Sequence, residues 1–226
     1  MSPGSRLGKI VKRGSFQSER SFASCYGMNQ ELQSQFQATF AEFSTVSERL
    51  PKETSQLWDD AVRFFGESHG KKVSAHRRAR LLRVTVLTAA AAFEGWTNFL
   101  AVDVVSNARL VAKKLTEFEI DCLSEQRKSL LESGKVKPEK GKFSSILRFA
   151  LLYRILSNGA LPAKLHSALK AAIDVRDALV HPKPGNSVDQ ATLREAFVSY
   201  WAADVALAKV WEKARSRPPG PLLVTQ

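Results

Sequence analysis

Arg176 and His181 stand five positions apart in RDALVHP, with four residues between them, Asp177 directly after the arginine and Pro182 directly after the histidine. Arginine offers a permanent planar fork for phosphate oxygens, and histidine can take or give a proton near neutral pH. Cleaving RNA without a metal needs a base for the 2′-hydroxyl proton, stabilisation of charge on the phosphorane, and an acid for the leaving 5′-oxygen. These two residue types could supply such steps. Asp177 could orient the histidine or pair with the arginine, and the sequence does not choose between those roles.

A residue before proline is pushed away from helical backbone angles, so His181 is expected at or just past a helix C-terminus. Arg176 lies about 7.5 Å back along the axis and roughly 140° around it, so the two side chains do not share a face. They converge only if the arginine reaches over, or if a second copy of the helix faces the first through two-fold symmetry. The spacing alone is a weak signal, because chance alone often produces it. Arg63 and His69 make a looser second match with no acid after the arginine. That pair reads as helix surface followed by a C-terminal histidine, where the helix dipole favours positive charge.

The elements that must position these residues are all helical. Leu32, Phe36, Phe40, Phe43, Val46 and Leu50 recur at helical spacing over Asn29 to Leu50, and Pro51 opens a second helix ending by Gly70. A long apolar helix follows and ends near Asn107. Thr116 and Glu119 have the spacing of a capping box, predicting a helix from there to about Glu132. Further helices are expected from Phe143 to Leu156, stopped by Ser157-Asn-Gly159, and from Pro162 into the RDALVHP stretch. Ile146, Phe149, Ala150 and Tyr153 form one face of the first of these. Ser187 or Asp189 caps a last helix to about Arg215, with Phe197, Trp201, Val205, Ala208 and Trp211 as its buried stripe. Runs of alternating β-branched residues and hairpin turns are missing, so the fold class is all-α, a helical bundle. Residues 1–28 read as a basic disordered tail, 29–215 as the helical domain, and 216–226 as a loose C-terminal tail.

The 226 residues carry a net charge of +12, which favours an anionic partner, nucleic acid being the commonest. Removing the first 27 residues takes away five positive charges and one negative, leaving +8, so the basic character belongs to the domain. That tail would equally suit an organellar transit peptide, or a translation start at Met28. The densest basic run is His69 to Arg83, with six lysines and arginines and no acid; Lys71, Lys72, Arg77, Arg78 and Arg80, together with Lys183, are the candidate nucleic-acid contacts. Positive charge at a helix start is opposed by the dipole, which favours an anionic ligand there over a merely solvated face. Cys25 and Cys122 are too few for a disulfide framework and no Cys/His cluster has zinc spacing, so a reducing, cytoplasmic setting with no metal and no cofactor is expected. Val84 to Val105 is long enough to cross a bilayer but carries Glu94 and Asp103, and reads as a buried helix of a protein without membrane contact.

The stretch IDVRDALVHP resembles the signature of the HEPN superfamily (higher eukaryotes and prokaryotes nucleotide-binding): arginine, a polar residue, a few mostly apolar residues, histidine. Arg176, Asp177 and His181 occupy those positions. AAAAFEGWTNFLA is similar to the first long core helix of several HEPN families, with Glu94 and Asn98 set four apart on one face, able to bond each other or reach the arginine. Only these two stretches carry the resemblance, which follows helix order over residues 29–215. It implies a HEPN-type bundle with additional N-terminal helices, and a homodimer with two Arg/His motifs facing each other. It further implies metal-independent RNA cleavage leaving 2′,3′-cyclic phosphate and 5′-hydroxyl ends, in toxins or antiphage defence effectors that an inhibitory or activating partner controls. One departure matters: where some family toxins carry a nucleotide-accepting tyrosine two residues after the histidine, this chain has Lys183, which rules out that modification here.

Competing readings remain open at this level. Glu94 could be a satisfied buried carboxylate instead of a site residue, Trp58, Trp96, Trp201 and Trp211 read as core rather than base-stacking residues, and His76 and His166 as surface. The whole could be a non-catalytic HEPN nucleic-acid or nucleotide sensor or assembly subunit, or a helical structural adaptor whose arginine and histidine only cap a helix.

Overall fold

The computed structural model describes residues 50–107, 110–111, 114–124, 144–183 and 187–217. The expected helix over Asn29 to Leu50, except for Leu50, both outer tail segments up to residue 49 and from 218, and the stretch 125–143 lie outside the described residues. Six helices and no strand are found among the described residues: α1 Lys52–Ser68, α2 Ala75–Ser106, α3 Glu117–Ser124, α4 Ser145–Ser157, α5 Ala163–Val180 and α6 Gln190–Arg215. The fold is an all-α bundle.

Local chemistry sets most boundaries. Pro51 precedes α1, and Ser74 caps α2 by accepting the Arg77 N–H at 3.3 Å. Ser144 accepts from the Leu147 N–H at 3.3 Å to start α4, and Asn158 ends that helix in the left-handed region at φ 58. Of the two candidate caps for α6, Asp189 is the one used, its Oδ1 accepting the Thr192 N–H at 2.8 Å; that bond holds its carboxyl below the usual range. At α3 the capping box closes in both directions. The Glu119 Oε2 accepts from the Thr116 N–H at 2.9 Å, while the Thr116 hydroxyl accepts from the Glu119 N–H at 3.2 Å. The other Glu119 oxygen accepts from Arg154 at 2.7 Å and ties α3 to α4.

The core lies between α1, α2 and α6, with α4 and α5 closing its other sides. The stripe expected on α6 is buried in full, and Tyr200 and Asp204 join it. On α4 the burial turns toward Arg148, Phe149, Leu151, Leu152, Ile155 and Leu156, leaving Ile146 and Tyr153 only half-buried. All four tryptophans are core residues: Trp58 meets Trp201 edge-on at 5.3 Å, and Trp96 meets Trp211 in the same way at 5.3 Å. Each such side chain contributes about 2–3 kcal/mol of apolar burial. Two of the indole N–H groups find carboxylates, Trp58 on Asp204 at 2.7 Å and Trp211 on Asp103 at 3.0 Å, while that of Trp96 is buried with no hydrogen-bond partner among the described residues. α1 and α2 pack closely enough that a Cβ at Gly95 would come within 3.0 Å of the Thr54 hydroxyl.

The long helix α2 departs from the expected buried helix. Leu82, Val86, Ala89, Phe93, Trp96 and Leu100 face the core. Val84, Leu87, Ala91, Asn98, Val102 and Val105 are exposed, however, and with the partly exposed Glu94 they follow helical spacing along one outer seam of roughly 30 Å. No described helix is long and apolar enough to cross a membrane.

Candidate active site

α5 runs from Pro162 to the RDALVHP motif and buries only Leu169 and Ala172 fully, so its last turns lie near the surface. Val180 is its last helical residue, and His181 is the C-cap, with φ −122 and its N–H donating to the Asp177 carbonyl at 2.8 Å. Proline therefore does what its stereochemistry requires, and the histidine ring leaves the helix into solvent. Among the described residues that ring makes no hydrogen bond.

Arg176 is turned toward α2. Its Nη2 donates to Glu94 Oε1 at 2.7 Å, and its Nη1 lies 3.2 Å from Asp177 Oδ1. The same Glu94 oxygen accepts from the Ser145 hydroxyl at 3.1 Å, so the first turn of α4 also holds that carboxylate. On the inner side lies Tyr200, whose phenol burial pushes far above its ordinary range while the Arg176 guanidinium works the other way. The Tyr200 hydroxyl and Arg176 Nε are both buried without a hydrogen-bond partner among the described residues. Four helices thus fix one guanidinium: α5 carries it, α2 and α4 hold its counter-ion, and α6 backs it.

Of the residues singled out by sequence, Arg176, Asp177 and Glu94 come together. His181 follows at the C-cap of α5 with its ring exposed, tied to Asp177 through its backbone N–H. Asn98 shares a face with Glu94 as its spacing requires, but its Oδ1 accepts from Arg148, not Arg176. Arg148 is buried, and its Nε also donates to the Cys122 carbonyl at 3.3 Å, joining α2, α3 and α4. Glu94 is neither bonded to Asn98 nor buried; its side chain is 41% exposed, enough for solvent or a ligand to reach the pair. Ser145, Arg148 and Tyr200 went unnoticed in the sequence. Their only signal is a polar or amphipathic residue inside an otherwise apolar stripe, which does not say what it meets.

The basic candidates divide. Lys71, Lys72, Arg77, Arg80 and Lys183 are exposed, whereas Arg78 is half-buried and donates from Nε to the Ser68 carbonyl at 2.9 Å. His69, expected to be a charged helix-end residue, instead packs its ring on Phe65 at 4.6 Å. Burial holds its pKa below the ordinary histidine value, with Arg194 and Arg78 acting the same way and the bond to the Phe65 carbonyl only partly opposing them. Arg63 pairs with Asp60 at 2.7 Å on the α1 surface. Among the described residues no group of three histidines, cysteines or acids has metal-site geometry.

The arrangement presents a fixed, partly exposed guanidinium flanked by two carboxylates, with a histidine at the adjoining helix end. To meet a phosphate, the guanidinium must give up one carboxylate. Asp177 is the free one to leave, being 54% exposed and bonded at longer range, whereas Glu94 is anchored by Ser145. No protein-family model matches this chain, and no match was found among curated proteins or solved structures.

Proposed function

We propose that the protein is a dimeric, metal-independent endoribonuclease of the HEPN type, a toxin or defence effector leaving 2′,3′-cyclic phosphate and 5′-hydroxyl ends. Arg176 stabilises the scissile phosphate, His181 is the general acid or base, and Asp177 positions the arginine until RNA displaces it. The observation that carries this reading is the Glu94–Arg176 pair. It fixes a phosphate-binding side chain near the surface, five residues before an unengaged histidine, from sequence stretches that independently resemble the family. A purely structural ion pair would give no reason for the histidine.

The exposed seam of α2 supports the dimeric form. Val102 is 62% exposed and Val84, Leu87 and Val105 lie on the same line, on both sides of Glu94. An apolar seam centred on the site would let a second copy bring its own Arg176 and His181 alongside.

Incubating the protein with a mixed RNA pool in EDTA, beside Arg176→Ala and His181→Ala variants, tests the reading. Cleavage with cyclic phosphate ends, lost by 10²-fold or more in both variants, is the expected result. Equal rates in parent and variants would sink it. RNA that binds in a salt-sensitive way but stays uncut would favour the sensor reading instead.

A further inference from the structure

Away from Arg176, positive charge gathers where α1 ends and α2 and α6 begin. Three cationic or titratable side chains from three helices meet there. His69 Nδ1 lies 2.8 Å from the Phe65 carbonyl, with the Ser68 hydroxyl 3.1 Å away. Arg78 reaches back from α2 to the Ser68 carbonyl at 2.9 Å and the Val73 carbonyl at 3.4 Å. Arg194 comes from the start of α6, which Gln190 joins to the start of α2 through the Ala75 carbonyl at 3.4 Å. Both arginines are close enough to oppose protonation of His69.

What the corner lacks is counter-charge. Arg63, Arg154 and Arg176 each have a carboxylate at 2.7 Å, but among the described residues neither Arg78 nor Arg194 has one. Arg194 Nε is buried with no hydrogen-bond partner among them. A half-buried group of cations is costly in that state, and an oxyanion would supply both the charge and the acceptor. Lys71, Lys72 and Arg77, close to His69 and Arg78 in the chain, are exposed. Arg194 stands six residues before Tyr200 on α6, about 9 Å along the axis, which keeps the corner within one RNA strand's reach of Arg176.

We propose that Arg194, His69 and Arg78 form a second phosphate-binding site, which holds a backbone phosphate of the RNA while Lys71, Lys72 and Arg77 contact its neighbours. The RNA assignment rests on the ribonuclease reading; the phosphate chemistry does not. A phosphate here would stabilise the charged form of His69, which faces Phe65 and Ser68 of α1, Arg78 of α2 and Arg194 of α6, so binding takes up a proton at that ring.

Two arms on the full chain test this, with His69→Gln and Arg194→Gln as variants and their melting temperatures as a check on folding. In the first, inorganic phosphate is titrated while the His69 ring is followed by NMR; the parent ring should shift and its pKa rise, and Arg194→Gln should abolish both. In the second, a labelled single-stranded RNA is bound over a salt series in the non-cleaving His181→Ala background. Either variant should weaken binding about fivefold, and Arg194→Gln should flatten the slope of log affinity against log salt by about 0.7. A phosphate response with no RNA binding by the parent identifies a small phosphate ligand as the occupant, keeping the site and removing the RNA reading. An unmoved His69, with RNA bound equally by parent and variants, overturns the site and leaves the ribonuclease reading untouched.

Discussion

At the residue scale, Asp204 shows how a buried acid reports on folding. It is completely buried on α6, accepts the Trp58 indole N–H through Oδ2, and leaves Oδ1 without a partner. Desolvation raises its pKa well above the carboxylate range, and the Trp58 bond only partly offsets this. The sign follows from proton counts. Above the unfolded-state pKa the unfolded chain has lost this proton and the native state keeps it. Stability therefore falls with rising pH by up to ~1.4 kcal/mol per unit until the native group ionises. Asp204→Asn keeps an acceptor for Trp58 and removes the titration. Thermal melts should show the variant above the parent at pH 7.5, with the gap closing toward pH 4. A parent that melts higher at pH 7.5 would mean the native state holds this carboxylate charged and satisfied.

At the element scale, the α2 seam carries its own prediction. Leu87 and Val102 are exposed, so Leu87→Lys and Val102→Lys should each leave the fold within about 0.5 kcal/mol of the parent. Combined in one chain they should turn a dimer into a monomer by sedimentation velocity at micromolar concentration. A parent that is itself monomeric, or a double variant that stays dimeric, removes the seam as the interface. How much of the helices could be read in advance depends on how local each determinant is. The Thr116–Glu119 box, the Asp189 cap and the stop at Asn158 act within a few residues, and the sequence shows them. Glu94 is legible as an acid in an apolar helix, and the motif points to Arg176. The Ser145 hydroxyl on Glu94 and the choice of Arg148 for Asn98 arise from packing between helices 50 or more residues apart, and the Tyr200 phenol comes to back Arg176 only through the packing of α6 on α5. The apolar run Val84 to Val105 read as a buried helix and gave no warning that one of its faces is exposed, because a helix apolar all round reads as core.

At the scale of the whole molecule, the two proposed catalytic groups are held by different restraints. Glu94 and Ser145 draw Arg176 toward α2, while the C-cap geometry sends His181 beyond the end of α5. Two-fold pairing across the α2 seam would let the arginine of one subunit serve the histidine of its partner. That arrangement makes inactive variants able to rescue each other. In a dimer of one Arg176→Ala and one His181→Ala subunit, one composite site has lost both groups and the other retains both. Random exchange makes half of the dimers mixed, each with one working site of two, so the mixture should recover about a quarter of parental cleavage. Sites built within single subunits predict no recovery at all, since every subunit in the mixture lacks one essential group. Measuring cleavage before and after subunit exchange, with each variant alone as the baseline, therefore decides whether a second copy completes the chemistry or merely accompanies it.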